Sequence, residues 1–299
     1  MLPHAQLTQA SYRARAARRW LQHVRAVLSM PSRNSPRPEW QAHKIEGHYD
    51  IRRGAAGYAP IVGAFGALAV PAIIVLFGAA HAGSPAYIAM AAGLLIVAMV
   101  GSLIASIALS AVGAERDETA NLYATTMFEA VAVVISLAAV LGAFEVLAAL
   151  YLPGVKILFL LIVGVAGVIG IFFTALAIAD SWQAGPSDPR DRAAWLPRQW
   201  LQNQRQAEEA TWLLVAIGCV PAGAGIVLRL LGVMIPPTTV SATIIVGMGF
   251  LLTMASIVLG AARSRHAIDG FQKAVQPREA LGTTLTASGF IMALMIFLP

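Results

Sequence analysis

The chain has 299 residues, of which 58% are hydrophobic and 12% charged, against about 25% charged in soluble domains. A soluble protein cannot bury that much apolar surface, whereas a lipid bilayer solvates it. Composition therefore excludes an ordinary soluble fold and predicts an all-α integral membrane protein. The formal net charge is +6, but the basic residues lie beside apolar segments, a pattern that sets membrane orientation rather than one that predicts nucleic-acid binding.

The N-terminal segment, residues 1–53, is polar and basic and lacks the apolar core of a signal peptide. From Ala14 to Leu28, apolar residues recur every three or four positions and arginines occupy the other faces, which predicts a short basic amphipathic helix ended by Pro31. We expect this helix to bind the anionic inner leaflet of a membrane. A solvated helix or a disordered tail is the alternative. A proline-containing linker follows over residues 31–40.

Residues 54–299 predict a transmembrane domain of seven helices. Each of seven apolar segments is long enough to span about 30 Å of hydrocarbon. Short turns containing Gly or Pro make the helices of three successive pairs antiparallel, and a longer loop, residues 180–210, follows the fourth segment. The predicted spans cover approximately residues 56–80, 86–113, 121–152, 156–179, 211–235, 239–262 and 281–298.

The distribution of positive charge predicts the orientation. With seven spans and a cytoplasmic N-terminus, all but two of the 21 Lys and Arg residues fall on the cytoplasmic side. The two exceptions are Lys156 and Arg229. Because positive charge accumulates in cytoplasmic loops, this asymmetry favours a multi-pass protein of the cell membrane with its C-terminus outside. The high Ala, Gly and Arg content favours a bacterial origin.

Three ionisable residues lie within predicted spans: Glu129, Glu145 and Arg229. Such residues are costly in a bilayer and usually face the interior of the helix bundle. Glu129 shares a stripe of small and polar residues with Thr125 and Ser136 on the third span. It is interpreted either as a proton or cation site near the inner mouth, or as a carboxylate that snorkels to the membrane interface.

Glu145 and Arg229 lie near the outer ends of the third and fifth spans, at matching depth. An unpaired charge in the membrane costs about 2.5–3.5 kcal/mol on insertion scales. We therefore expect the two side chains to form an ion pair. The pair would either fix the packing of the two helices or act as a gate or substrate clamp.

The fifth span contains a proline and several glycines, which weaken a helix. Broken helices of this kind expose backbone groups to ions or substrates in transporters, although kinked spans without transport function are common. The predicted helix break consists of Gly218, Pro221, Gly223 and Gly225.

Few features indicate a cofactor or an enzyme. No histidine lies within a predicted span, which argues against a haem held by two histidines, and no metal-binding or nucleophile motif is present. We therefore predict no cofactor, no metal and no catalytic residue. An acidic loop with Glu115, Asp117 and Glu118 is the only support for a membrane enzyme that acts on a lipid-linked substrate.

The sequence leaves three functional classes open. The first is a small-solute or ion transporter with an intramembrane coupling carboxylate. The second is a non-catalytic structural or assembly subunit of a membrane complex, with a membrane-protein partner or a second copy of the chain. The third, the lipid-directed enzyme, is the least supported.

Overall fold

The computed structural model describes thirteen stretches of the chain, and the remaining residues are not discussed further. The predicted N-terminal amphipathic helix lies outside the described residues, and so does the predicted loop up to residue 196. The described residues are 34–35, 51–79, 85–115, 120–152, 154, 158, 162–165, 167–168, 170, 197–236, 238–268, 272–273 and 277–299.

The described chain is almost entirely helical and contains six helices long and apolar enough to cross a membrane. It is a multi-pass membrane protein with an α-helical fold, as predicted. A single pair of two-residue antiparallel strands, β1 (Asn34–Ser35) and β2 (Gln272–Lys273), accompanies the helices. The helices are α1 (Ile51–Ala79), α2 (Pro85–Ala114), α3 (Ala120–Tyr151), α4 (Pro197–Leu230), α5 (Thr239–Ile268) and α6 (Pro277–Phe297).

The fourth predicted span is described only in part. Its described residues between 162 and 170 are helical, and their glycines contact other helices. A methyl group at Gly164 would lie 2.9 Å from Ile226 Cδ1 in α4, and one at Gly167 would lie 2.5 Å from Ile291 Cδ1 in α6. The count of seven spans stays a prediction, while the helix count in the described part is six.

The helices pack in a defined order of neighbours. α2 contacts α1, α3 and α5; α3 also contacts α5 and α6; and α4 packs mainly on α6. The central core is built from α2, α3 and α6, with large buried residues such as Met90, Ile135 and Phe290. In contrast, α1 and α5 expose apolar side chains such as Leu68 and Val258, at 66% and 65%. Exposed apolar side chains on long apolar helices suit contact with lipid.

A glycine ends α4 and begins the connection to α5. Gly232 adopts a left-handed φ of 81°, and Val233 N donates to Leu228 O at 2.9 Å while Gly232 N donates to Arg229 O at 3.0 Å. These bonds form a Schellman motif, which requires a residue tolerant of positive φ.

The start of α5 is capped reciprocally. Thr238 N donates to Ser241 Oγ at 2.7 Å, and Ser241 N donates to Thr238 Oγ1 at 3.1 Å. This exchange satisfies backbone donors that the first turn of a helix leaves free. The preceding helix, α4, begins at Pro197, a residue type that is favoured at the first helical position.

Candidate functional site

Glu129 lies at the interface of α3 and α5, near the predicted cytoplasmic end of the bundle. The apolar part of α3 begins at Ala124, so Glu129 is about 7.5 Å inside it along the helix axis. The residue is 1% exposed, and its Oε2 has no hydrogen-bond partner among the described residues. The side chain therefore points into the bundle and does not reach the surface of the protein.

A glycine on α5 makes room for the carboxyl group. A methyl group at Gly260 would lie 2.7 Å from Glu129 Oε1, so a larger residue at this position would collide with the carboxyl group. One turn earlier on α3, Thr125 Oγ1 donates to Gly260 O at 3.4 Å. The carboxyl group, the hydroxyl group and a main-chain carbonyl thus converge at one level of the bundle.

The small and polar stripe continues from Glu129 toward the middle of α3. Ser136 is also 1% exposed, and its Oγ has no hydrogen-bond partner in the described part of the chain. It lies against Gly101 of α2, where a methyl group would overlap Ser136 Oγ and lie 2.8 Å from Thr253 Cγ2 of α5. Three helices therefore meet around Ser136, with glycine on α2, the Ser136 hydroxyl group on α3 and the methyl group of Thr253 on α5.

We call this contact region the α2–α3–α5 seam and define it by its polar members and the two glycines that adjoin them. All of the polar members are buried, with exposures of 5% or less. The seam consists of Gly101, Thr125, Glu129, Ser136, Thr253, Ser256 and Gly260.

An ion pair lies beside the seam at the predicted cytoplasmic end. Arg263 of α5, one turn beyond Gly260, contacts Glu279 in the first turn of α6 through Nη2 and Oε2. The side chains are 9% and 27% exposed. Sequence reasoning missed this pair because it assigned Arg263 to a loop. The signal was available, since an acidic residue in the first turn of a helix is favoured by the helix dipole.

Arg229 has a different partner from the predicted one. Its Nη2 donates to the main-chain oxygen of Pro299, beyond the end of α6. The reason is the packing order, since α4 lies mainly against α6, whereas Glu145 is fully buried on α3. The expectation of a Glu145–Arg229 ion pair is corrected accordingly. Equal depth in the membrane does not place two residues on neighbouring helices.

The helix break expected around Pro221 takes a different form, because α4 is helical from Pro197 to Leu230. Next to Pro221, α4 makes a hydrogen bond to α6. Ala222 N donates to Ser288 Oγ of α6 at 2.9 Å, and both residues are fully buried. Gly225 lets α6 approach, since a methyl group there would lie 2.8 Å from Met292 Cα.

The other two glycines of the predicted break, Gly218 and Gly223, also lie within α4. A methyl group at Gly223 would have nothing within 4 Å, so this glycine faces open space beside the helix. Gly218 lies on the same continuous helix. Ser288 was not among the predicted residues, because nothing in the sequence of α6 indicates which helix it would contact.

The acidic loop proposed for an enzyme lies largely outside the described residues. Glu115 is the one member that the structure describes, and it is exposed just after α2. Within the described ranges, no group of three or more His, Cys, Asp or Glu side chains is placed to hold a metal ion.

Comparison of the chain with known protein families, with curated proteins and with solved structures finds no match. The chemistry of the seam therefore has to carry the functional argument. One carboxyl group, surrounded by neutral hydroxyl and carbonyl oxygens, can exchange a proton or ligate a cation of low charge.

Proposed function

We propose that this protein conducts or transports a monovalent cation, the proton included, and that Glu129 is the coupling carboxylate. One observation carries the proposal: Glu129 is buried between α3 and α5, and its Oε2 has no hydrogen-bond partner among the residues described. An acidic residue within a membrane-spanning helix is a functional-site hypothesis by default.

The energetics favour an exchangeable occupant for this carboxyl group. A charged carboxylate within the membrane costs about 2.5–3.5 kcal/mol on insertion scales, and a buried acceptor without a partner costs about 1–3 kcal/mol. A bound proton or monovalent cation removes most of either cost. A site that is stable only when occupied, and that lies near one end of the bundle, has the properties of a coupling site.

A second candidate, the structural or assembly subunit, is favoured by the glycine contacts. A methyl group at Gly113 would lie 3.1 Å from the main-chain N of Ala56, and one at Gly225 would lie 2.8 Å from Met292 Cα. At both places a glycine lets the main chain of one helix lie against the main chain of another. Such close contacts resist relative motion of α1 and α2, and of α4 and α6. A scaffold needs such rigidity throughout, whereas a transporter needs it only outside the moving part.

Flux measurements on the full chain in liposomes test the proposal. Proton flux is followed with an internal pH dye, and sodium and potassium flux with ion-selective dyes, under imposed gradients of each ion. We expect wild-type flux of one of these cations and its loss, by at least tenfold, in Glu129→Gln. Glu145→Gln is the matched control, because it removes a second buried carboxylate from the same helix.

Two results would contradict the proposal. The first is folded, inserted wild-type protein that shows no flux of any of the three cations under any gradient, which favours the structural subunit. The second is flux that survives in Glu129→Gln at the wild-type rate, which removes Glu129 from the mechanism.

A further inference from the structure

The hydroxyl groups of the seam lie in successive layers between Glu129 and the middle of the bundle. Gly260, opposite Glu129, and Thr253, beside Ser136, lie seven residues apart on α5, which is about 10 Å along the axis. Ser256 lies between them at a spacing of three and four residues, so that all three α5 positions share one side of the helix. Successive layers are therefore about 4.5–6 Å apart along the helix axis.

Ser136 is the anomalous member of this series. A serine in a membrane-spanning helix ordinarily donates to a carbonyl of its own preceding turn, as Ser110 of α2 does to Ser106 O at 2.8 Å. Ser136 Oγ has no such bond within the described residues, although it is buried to 1%. The hydroxyl group instead faces Gly101 of α2, where an added methyl group would overlap it.

Thr253 complements this arrangement. Its Oγ1 donates to Gly249 O of its own helix at 2.8 Å, so the lone pairs of the hydroxyl oxygen remain available to accept a hydrogen bond or to contact a cation. Gly101 leaves the space between Ser136 Oγ and the Thr253 methyl group unfilled by a third side chain, because a methyl group there would overlap Ser136 Oγ and lie 2.8 Å from Thr253 Cγ2.

We infer that Ser256, Thr253 and Ser136 form a hydroxyl relay that carries the monovalent cation between Glu129 and the middle of the bundle. The inference rests on the proposed function and names the route that the cation takes through the same site. It is carried by two buried atoms on one side of α3 that have no hydrogen-bond partner among the described residues, Glu129 Oε2 and Ser136 Oγ. The Glu129 carboxyl group lies against Gly260 of α5, and Ser136 lies two turns further along α3 against Gly101 of α2.

The charge of the seam selects the class of cation. Among the residues that the structure describes, one carboxyl group faces the seam, and the other seam oxygens belong to neutral hydroxyl groups and main-chain carbonyls. Divalent cations in proteins are held by several oxygen ligands, usually with more than one carboxylate. A single negative charge balances a proton or an alkali cation and leaves the relay itself neutral.

The test combines flux with a measurement at Glu129 that does not depend on flux. Ser136→Ala and Thr253→Val remove the relay hydroxyls while they keep the side-chain shape, and Ser110→Ala is the control on an exposed serine. Cation flux per folded molecule is measured in liposomes. Modification of Glu129 by dicyclohexylcarbodiimide, which reacts with protonated carboxyl groups in apolar surroundings, is measured by mass spectrometry.

We expect Ser136→Ala and Thr253→Val each to lower flux at least tenfold, with Ser110→Ala at the wild-type rate and Glu129 modified equally in all samples. Flux within twofold of wild type in both relay variants, with no flux in Glu129→Gln, overturns the relay and leaves the proposed function standing. Loss of flux together with loss of carbodiimide modification or of thermal stability also overturns the relay, because the hydroxyls then act on structure. Absence of flux in wild type overturns the relay and the proposed function together.

Discussion

Two contact regions of the bundle use the same residue types for different purposes. In the α4–α6 contact, glycine brings backbones together, and Ser288 and Arg229 bond to main-chain atoms of the facing region. In the α2–α3–α5 seam, glycine makes room for polar side chains, and Glu129 Oε2 and Ser136 Oγ have no hydrogen-bond partner within the described ranges. Small and polar residues therefore do not indicate function by themselves. What distinguishes the seam is a buried carboxyl group on a membrane-spanning helix, that of Glu129, whose Oε2 has no hydrogen-bond partner among the described residues.

The largest effect is expected from Gly225→Val in the α4–α6 contact. The first added carbon would lie 2.8 Å from Met292 Cα, and a main-chain atom cannot move aside by changing rotamer. Overpacking of this kind costs about 1–3 kcal/mol and sometimes more, so the yield of folded protein and its unfolding temperature should fall sharply.

Gly223→Val is the matched control, two residues away on the same helix, where an added carbon meets nothing within 4 Å. Thermal unfolding of both purified variants provides the comparison. Equal stability of the two would show that α4 and α6 do not approach as closely as described.

Gly101→Ala should separate flux from stability in the seam. The added methyl group would overlap Ser136 Oγ and lie 2.8 Å from Thr253 Cγ2, both of which belong to side chains that can shift. We expect a smaller loss of stability than for Gly225→Val and a loss of cation flux of at least tenfold.

Gly247→Ala on α5 is the control for this variant, because an added methyl group there meets nothing within 4 Å. Flux assays and thermal unfolding on the same preparations decide the outcome. If Gly101→Ala conducts at the wild-type rate, the space between α2 and α3 is not on the route of the cation.

Ser288→Ala should lower stability and leave flux per folded molecule unchanged. The substitution leaves the buried N–H of Ala222 without its acceptor, which costs about 1–3 kcal/mol. Thr286→Ala on the same helix should have little effect, because its exposed hydroxyl group bonds only to Gly282 O of its own turn. A fall in flux per folded molecule in Ser288→Ala would give the α4–α6 contact a part in conduction.

The smallest effect is expected from the Arg263–Glu279 ion pair. Partly exposed pairs contribute about 0.2–1 kcal/mol, and Glu279 is 27% exposed. Arg263→Gln should therefore lower the unfolding temperature by a degree or two and should do so less at high salt. The exchange Arg263→Glu with Glu279→Arg should recover part of that loss. If the double variant is no more stable than either single charge reversal, the Arg263–Glu279 ion pair does not stabilise the packing of α5 on α6.

The sequence predicted the individual helices better than it predicted which helices pack against each other. The long apolar segments are local features, and local hydropathy determines them. The end of α4 was predicted less well, because the expected span ran to residue 235 whereas the helix ends at Leu230, before Gly232. The stripe that contains Glu129 and Ser136 was likewise visible in the spacing of α3 residues. Which helix faces that stripe was not visible, because it depends on packing between segments far apart in the chain.

The missed contacts share that cause. The partners of Ala222, Arg229 and Arg263 all belong to α6 or to the residues just after it. Nothing in the hydropathy of α6 distinguishes it as the helix that packs on α4. The predicted pairing of Arg229 with Glu145 used depth in the membrane alone, and depth does not determine which helices are neighbours.

Thermal unfolding of Glu129→Gln shows whether Glu129 serves function or packing. The substitution keeps the size of the side chain and removes its charge, so an unpartnered carboxyl group becomes a neutral amide. Because residues kept for function often lower stability, we expect Glu129→Gln to unfold at the wild-type temperature or above it and to lose cation flux. An unfolding temperature several degrees below wild type would contradict a functional role for Glu129 and assign the residue to the packing of α3 against α5.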